Sequence, residues 1–359
     1  MILKEEDVLP RVGMVGNPNA GKSTVFNLLT GLRQQTGNFP GVTVEIKKGR
    51  MRFPSGKEAM LVDFPGTYSL YPTSSDEKLV AAVMTNPDDV FFPDALIYIA
   101  DVTHLERHLL LLTQLLDLNL PVILALNMSD TASEMGIKVN TAKLSDQLGV
   151  PVISISGRKE DNIQRLLSEV EKMLKSPQKA SEQSIFYKLT DAEKQITDAV
   201  RQNLAIENPY RALLILHHHK WLPFLQKPQR ELLDAITITK DFQSLRAQVD
   251  ETLDRYDRFM PLVRDAVQQP PAFPSTATDR LDAVLTHRFW GPLIFVAVMM
   301  LIFQAIFDWS GYPMDAIESG FGLMSEWVAL ALGEGWFTEL LTDGILAGLS
   351  GILVFVPQI

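Results

Sequence analysis

After Arg288 the chain runs for 71 residues, to Ile359, without a single Lys or Arg. Within that stretch residues 289–307 (FWGPLIFVAVMMLIFQAIF) carry no charge at all. At about 1.5 Å per residue such a run spans a hydrocarbon core of ~30 Å. In lipid every backbone N–H and C=O must be bonded within the segment, so the run predicts a transmembrane helix. The charge of the whole chain divides at the same point. Its 33 basic and 43 acidic residues net −10, but residues 1–288 hold all the basic residues and net only −3, whereas residues 289–359 hold seven acids and net −7. By the positive-inside rule residues 1–288 belong to the cytoplasmic side. Residues 314–340 mix Trp, Phe and Leu with acids at helical spacing and predict an interfacial amphipathic helix. Residues 344–359 are a second uncharged run, in which the chain ends; this predicts a fragment of a longer, multi-pass membrane protein. The acidic balance argues against nucleic acid as a partner, and the absence of cysteine excludes disulfides and thiolate metal sites.

The first half reads differently. Short apolar runs (RVGMV, EAMLV, DALIYIA, PVILALN, PVISIS) alternate with stretches of helical period such as residues 22–30 and 105–118, the pattern of an α/β domain with a mostly parallel sheet. A polar stretch, residues 175–183, reads as a linker. From 184 to 268 apolar residues recur at spacings of three and four without strand-like alternation, predicting a small all-α domain. The prolines of residues 268–279 break that pattern, and Thr278-Asp279 is placed to cap the next helix. The expected organisation is a nucleotide-binding domain over 1–178, a helical domain over 184–268, a linker and juxtamembrane helix over 269–288, and the opening of a transmembrane domain over 289–359.

The chemistry is concentrated in loops at strand ends. Gly16-Asn17-Pro18-Asn19-Ala20-Gly21-Lys22-Ser23 fits the G-x-x-x-x-G-K-[ST] phosphate loop, follows RVGMV directly and opens a helix that continues with Thr24. Its N–H groups and the helix dipole suit a phosphate chain, Lys22 suits the β- and γ-phosphates, and Ser23 suits Mg²⁺. Asp63-Phe64-Pro65-Gly66 ends EAMLV; Asp63 is placed to hold Mg²⁺ through water, and Gly66 to approach the γ-phosphate. Asn127-Met128-Ser129-Asp130 has the N-x-x-D form. Asp130 can accept from both N1–H and the exocyclic amine of guanine, whereas adenine offers no donor at either position. Met128 stands where Lys is more frequent. Ser156-Gly157-Arg158 lies where a loop N–H would meet guanine O6. These loops, in this order, predict a P-loop GTPase fold binding GTP or GDP with Mg²⁺.

With NFPGVTVE (residues 38–45) and DFPGTYSL (residues 63–70) beside these loops, the chain resembles the FeoB family of bacterial ferrous-iron transporters, and the likeness extends to GILAGLSGILVFVPQI near the C-terminus. The resemblance implies a cytoplasmic G domain, a helical domain that inhibits GDP release, and a polytopic Fe²⁺ permease in the cytoplasmic (inner) membrane. It further implies small cytoplasmic Feo accessory proteins as partners and a homo-oligomer. It makes Thr43 the switch residue that reaches Mg²⁺ and Asn19 the phosphate-loop residue associated with K⁺, though by its residue type alone Asn19 could equally be a loop cap. Thr67 follows Gly66, where Ras-like enzymes carry a water-orienting Gln, so hydrolysis is expected to be slow and K⁺-stimulated, with Lys22, Asn19, Thr43 and Gly66 as the catalytic set. Thr286-His287-Arg288 departs from the family's Thr-His-Pro at the membrane entry. His217-His218-His219 reads as a solvated helix end, since adjacent helical residues point about 100° apart and cannot share one ion. The seven C-terminal acids read as a solvated face. The alternative function is a membrane-tethered regulatory GTPase without transport activity; one of the RNA-processing type should carry a basic face, which is lacking here.

Overall fold

The computed structural model describes residues 9–31, 34–38, 45–176, 186–268 and 277–358. These belong to two compact units, Met1–Pro270 and Pro271–Ile359.

In the first unit each apolar run becomes a strand because both of its faces find a partner. β1 (Arg11–Gly16), β4 (Glu58–Asp63), β5 (Ala95–Asp101), β6 (Val122–Asn127) and β8 (Val152–Ser154) are parallel neighbours in the order β4-β1-β5-β6-β8. Side chains alternate between two cores, as a period of two requires. Val12, Met14, Ile97, Ile99 and Ile123 pack on one face with α1 (Lys22–Thr30) and α6 (Ile163–Lys175). Leu96, Tyr98, Leu124 and Leu126 pack on the other with α2 (Ser75–Thr85), α3 (Leu109–Asp117) and α5 (Thr141–Leu148). Helices on both faces make this the α/β P-loop fold the sequence predicts. Two antiparallel strands, β2 (Gln34–Asn38) and β3 (Glu45–Arg52), extend the sheet beyond β4 and were not signalled by the apolar pattern.

The expected helix over 105–118 is divided. A 3₁₀ turn (Val102–Arg107) with a non-helical residue at His104 precedes α3, which starts only at Leu109. Asp101 caps that turn by accepting from the Thr103 N–H at 2.8 Å. After β6 come α4 (Ser129–Glu134) and a two-residue strand β7 (Lys138–Val139).

The helical region comprises α7 (Asp191–Leu204), α8 (Pro209–His218), α9 (Lys227–Thr239) and α10 (Ser244–Ala266). It is not wholly helical: β9 (Val267–Gln268) pairs antiparallel with β7, and the Asn140 N–H donates to the Ala266 carbonyl at 2.9 Å. α7 opens with a capping box between Thr190 and Glu193, which satisfies donors on both sides of the helix start. The spacer shares its core with the sheet domain: Ala82 of α2 packs with Val200, Ile215 and Leu233, and Tyr210, Leu213 and Phe259 join the core on the α3 side of the sheet.

The reading of His217-His218-His219 as a solvated helix end is corrected. His218 and His219 are buried, and all three rings have partners. His217 Nδ1 lies 2.7 Å from the Ser244 hydroxyl, His218 Nε2 donates to the Leu70 carbonyl at 2.8 Å, and His219 bonds the Leu216 carbonyl and Asp234. α8 is enclosed on nearly every side, so the tract has no solvent face to occupy.

The second unit contains α11 (Ala277–Leu285), which begins before the expected Thr278-Asp279 cap. His287 Nδ1 accepts from the Phe289 and Trp290 N–H groups, so this histidine, beside the departure at Arg288, caps α12 (Trp290–Gln304). α12 continues through a π-helical turn (Ala305–Trp309) into α13 (Gly311–Leu332). Together Trp290–Leu332 form 43 residues, with mean hydropathy 2.2 in the most apolar window and none of that window buried. This is the one helix among the described residues long and apolar enough to cross a membrane. The expected break between a span and a separate interfacial helix is therefore absent; at ~65 Å the joined helix is about twice the hydrocarbon thickness. α14 (Trp336–Glu339), a π-helical segment (Leu340–Leu346) and α15 (Ala347–Leu353) follow.

Candidate nucleotide site

The loops at the C-terminal ends of β1, β4, β6 and β8 meet along one edge of the sheet, where ligands of open α/β folds bind. Asn127, at the end of β6, is 3% exposed and ties two of them together. Its Nδ2 donates to the Ala20 carbonyl and its Oδ1 accepts from the Gly157 N–H, both at 2.9 Å. The phosphate loop and the Ser156–Arg158 segment are thereby fixed through one amide. Gly21 explains how closely they approach: it lies at φ 84°, and a Cβ there would meet Asn127 Nδ2 at 2.2 Å. Gly66 is similarly confined, with Pro18 at 3.0 Å and Lys22 Nζ at 3.1 Å from any added Cβ.

Lys22, Asp63 and Gly66 are brought together. Lys22 Nζ donates to the carbonyls of Gly16 and Asn17 at 3.0 and 3.1 Å. Burial lowers its pKa, against the opposing charge of Asp63. Burial pushes the Asp63 carboxyl up to about 6, although Lys22 and Lys47 oppose the shift. Asp63 Oδ1 is buried without a hydrogen-bond partner, as suits an acceptor placed for a cation's water shell. Ser23 and Thr24 are exposed at the start of α1, so the donor set Ser23 plus Asp63 fits Mg²⁺. Thr43 lies outside the described residues. Asn19 is exposed in a left-handed conformation, φ 63°, and its side chain caps nothing among the described residues.

On the base side, Met128 adopts φ 64° and so turns the chain sharply between β6 and α4. Asp130 follows in the first turn of α4. Burial raises its pKa, but hydrogen bonds from the Ser156 hydroxyl and from the Thr131 and Asp130 N–H groups, with the charge of Lys159, outweigh that and hold it below the usual range. An ionised acceptor is what guanine recognition requires. Ser156 and Gly157 are buried and Arg158 is exposed.

Thr67 is fully buried, and its hydroxyl donates to the Ser69 carbonyl at 2.7 Å. Its hydroxyl is thereby engaged in the interior. The sequence reading missed a further polar group behind the phosphate loop, made by Tyr98, Arg107 and His108 around Asn17. A tyrosine in the midst of DALIYIA reads as one more apolar residue, and only a buried hydroxyl with its acceptors distinguishes it.

This geometry defines a P-loop G domain, a guanine-nucleotide-binding module, joined to a helical region and a membrane-type helix. Residues 10–170 match the family model described as ferrous iron transport protein B. The Fe(2+) transporter FeoB of Leptospira biflexa is 31% identical over 99% of this chain and 51% of its own length. The solved cytosolic domain of L. pneumophila FeoB is 33% identical, with a TM-score of 0.58 over 72% of this chain and 99% of that one. A variant of S. thermophilus NFeoB bound to GDP aligns at 29% identity with a TM-score of 0.57, over 72% of this chain and all of that one. The chain belongs to the FeoB family, and spans about half the length of the curated relatives it matches.

Proposed function

We propose that residues 1–178 bind and slowly hydrolyse GTP, and that the nucleotide state regulates Fe²⁺ uptake by the membrane part, with residues 1–288 in the cytoplasm. The observation that carries this reading is the Asn127 clamp, which draws the phosphate loop and the guanine-facing loop around an ionised Asp130. The phosphate-loop N–H groups and Lys22 would hold the β- and γ-phosphates, and Asp130 would select guanine. Mg²⁺, held by Ser23, Asp63 and Thr43, would neutralise charge on the transferring phosphoryl group. With Thr67 turned inward, no side chain of the DFPGT segment replaces the missing Gln, which supports slow hydrolysis and a supplementary cation at Asn19, K⁺ by family resemblance. Accessory proteins, self-association and a multi-pass permease in the inner membrane are carried by the resemblance alone.

A nucleotide-dependent change would have a physical route as far as the spacer helices. Switch residues 66–71 touch the spacer directly: the Tyr71 hydroxyl donates to Glu251 on α10, and the Leu70 carbonyl accepts from His218 on α8. A nucleotide that re-orders Gly66 must therefore break or keep bonds to two spacer helices.

The test is Asp130→Asn in the full-length protein. Losing the paired acceptor should weaken GTP binding at least tenfold relative to ATP, read by equilibrium competition, and lower Fe²⁺ accumulation in vesicles. Uptake that persists without any nucleotide binding would show that the two activities are independent.

A further inference from the structure

Asn17, the second residue of the phosphate loop, does not face the nucleotide space. It is 1% exposed and its amide points back into the domain, where Nδ2 donates to the Arg107 carbonyl at 2.8 Å. The Tyr98 hydroxyl shares its one proton between two acceptors, the His108 carbonyl at 2.5 Å and, more weakly, Asn17 Oδ1 at 3.1 Å. Tyr98 is completely buried in β5. A Phe would satisfy the apolar packing there; a hydroxyl is costly to bury unless it is bonded, and both its acceptors belong to elements beside the phosphate loop. The amide cannot be reversed, because that would set Asn17 Oδ1 against the Arg107 carbonyl. Meanwhile the Asn17 main chain is part of the cradle: its carbonyl accepts from Lys22 Nζ at 3.1 Å and from the Ala20 N–H at 3.4 Å. The preceding Gly16 rests against β5 so closely that a Cβ would lie 2.2 Å from the Ile99 carbonyl oxygen.

We propose that Tyr98 and Asn17 are a positioning pair, which sets the phosphate loop's N–H groups for the β-phosphate of GDP and GTP by anchoring the loop to β5 and to the 3₁₀ turn that follows it. The inference rests on the guanine-nucleotide reading given above. Neither side chain touches the nucleotide; both act through the loop backbone. Guanine selection, which belongs to Asp130 in α4 beyond the end of β6, is independent of the pair.

That separation gives the test. Tyr98→Phe removes one oxygen and no packing volume. In the full chain in detergent, affinities for GDP, GTP and GMP are measured by competition against a fluorescent GDP. GMP has the guanine but no β-phosphate. The expected result is a loss of about tenfold for GDP and GTP in Tyr98→Phe, with GMP unchanged within twofold. Asn17→Ala, which removes the Arg107 bond and the second acceptor of Tyr98, should move the GDP-to-GMP ratio further the same way. An unchanged GDP affinity in Tyr98→Phe overturns the proposal. So does an equal loss for GDP and GMP, which would mean a general loosening of the domain. Failure of the unmutated chain to bind GDP at all would overturn the nucleotide reading itself, and is distinguished by that control.

Discussion

Two buried polar regions of the first unit treat their charges in opposite ways. At the seam between the sheet domain and the spacer, Arg255 is fully buried and pairs with Asp117 and Glu251, each at 2.7 Å. Every carboxylate oxygen of that group has a partner: Asp117 accepts from the Phe186 and Tyr187 N–H groups, and Glu251 from the Tyr71 and Tyr210 hydroxyls. The guanidinium is flanked by the rings of Tyr210 and Tyr187. In the nucleotide cleft, by contrast, Asp63 Oδ1 and His108 Nδ1 are buried and unpartnered, and Lys22 rests on backbone carbonyls. Charge paired with charge marks a structural joint, even with Arg255 Nη1 itself buried without a hydrogen-bond partner. A buried carboxylate oxygen with no partner at all, as at Asp63, marks a place made for something that arrives.

The largest effect should come from breaking the joint. Arg255→Leu leaves Asp117 and Glu251 buried side by side without a counter-charge, and should cost about 3–5 kcal/mol of stability in denaturant unfolding. Replacing all three by apolar residues should not recover that loss, because the Phe186 and Tyr187 N–H groups and the Tyr71 and Tyr210 hydroxyls would be left without acceptors. A loss below about 1 kcal/mol for the single variant would mean that the seam opens to water and that the contrast with the cleft is not real.

How much of each region was legible follows from where its partners lie in the chain. The cleft residues declared themselves because a phosphate loop, D-x-x-G and N-x-x-D carry their chemistry in a few adjacent positions at strand ends. Arg255 did not: only Glu251, four residues back on the same helix, lies near it, and its other partners come from residues 117, 187 and 210. The histidine tract failed for the same reason, since its acceptors sit at Leu70, Ser244 and Asp234. β3 (EIKKGRMR) was hidden because it lies toward one edge of the sheet. Ile46 and Met51 are buried there while Arg50 and Arg52 stay exposed, so charge masks the apolar signal. In the second unit the uncharged run announced a helix. Its continuation through Asp315, Glu318 and Glu326 did not, because acids on an exposed helix face look the same as acids that end a span.

A substitution in the cleft should have the opposite sign to one at the seam. The folded pKa of Asp63, about 6, lies above the ordinary carboxylate value of 3.8. The folded state therefore binds the extra proton between those values. The associated stability is present at low pH and lost as pH rises through about 6, leaving a cost at pH 7. Asp63→Asn removes the buried charge and should stabilise the nucleotide-free protein by about 1–3 kcal/mol at pH 7, with little gain at pH 4. The same variant should lose the Mg²⁺ dependence of nucleotide binding, measured by titration with and without the metal. If Asp63→Asn instead destabilised the free protein, the carboxylate would be a structural partner of Lys22 and the cleft would be no different in kind from the seam.

The smallest effect concerns His218, which lies at the seam yet is held neutral. Burial lowers its pKa to about 4, with the neighbouring His219 acting in the same direction and the Leu70 carbonyl opposing. His217 and His108 are lowered likewise, to about 3 and about 4, mainly by burial. For these groups the folded pKa is below the unfolded one, so the unfolded chain binds more protons between pH 6.5 and 4. Stability is full above 6.5 and falls as the medium is acidified, by about 1.4 kcal/mol per pH unit for each such histidine. His218→Gln keeps a donor within reach of the Leu70 carbonyl but cannot titrate. It should change stability little at pH 7.5 and reduce the acid slope between pH 6 and 5 by about one proton, read from unfolding midpoints across that range. An unchanged slope would mean that His218 titrates alike in the folded and unfolded chains. The bond that ties Leu70 to α8 would then open readily to water, which would shift the rigid part of the seam away from the DFPGTYSL segment and toward Arg255.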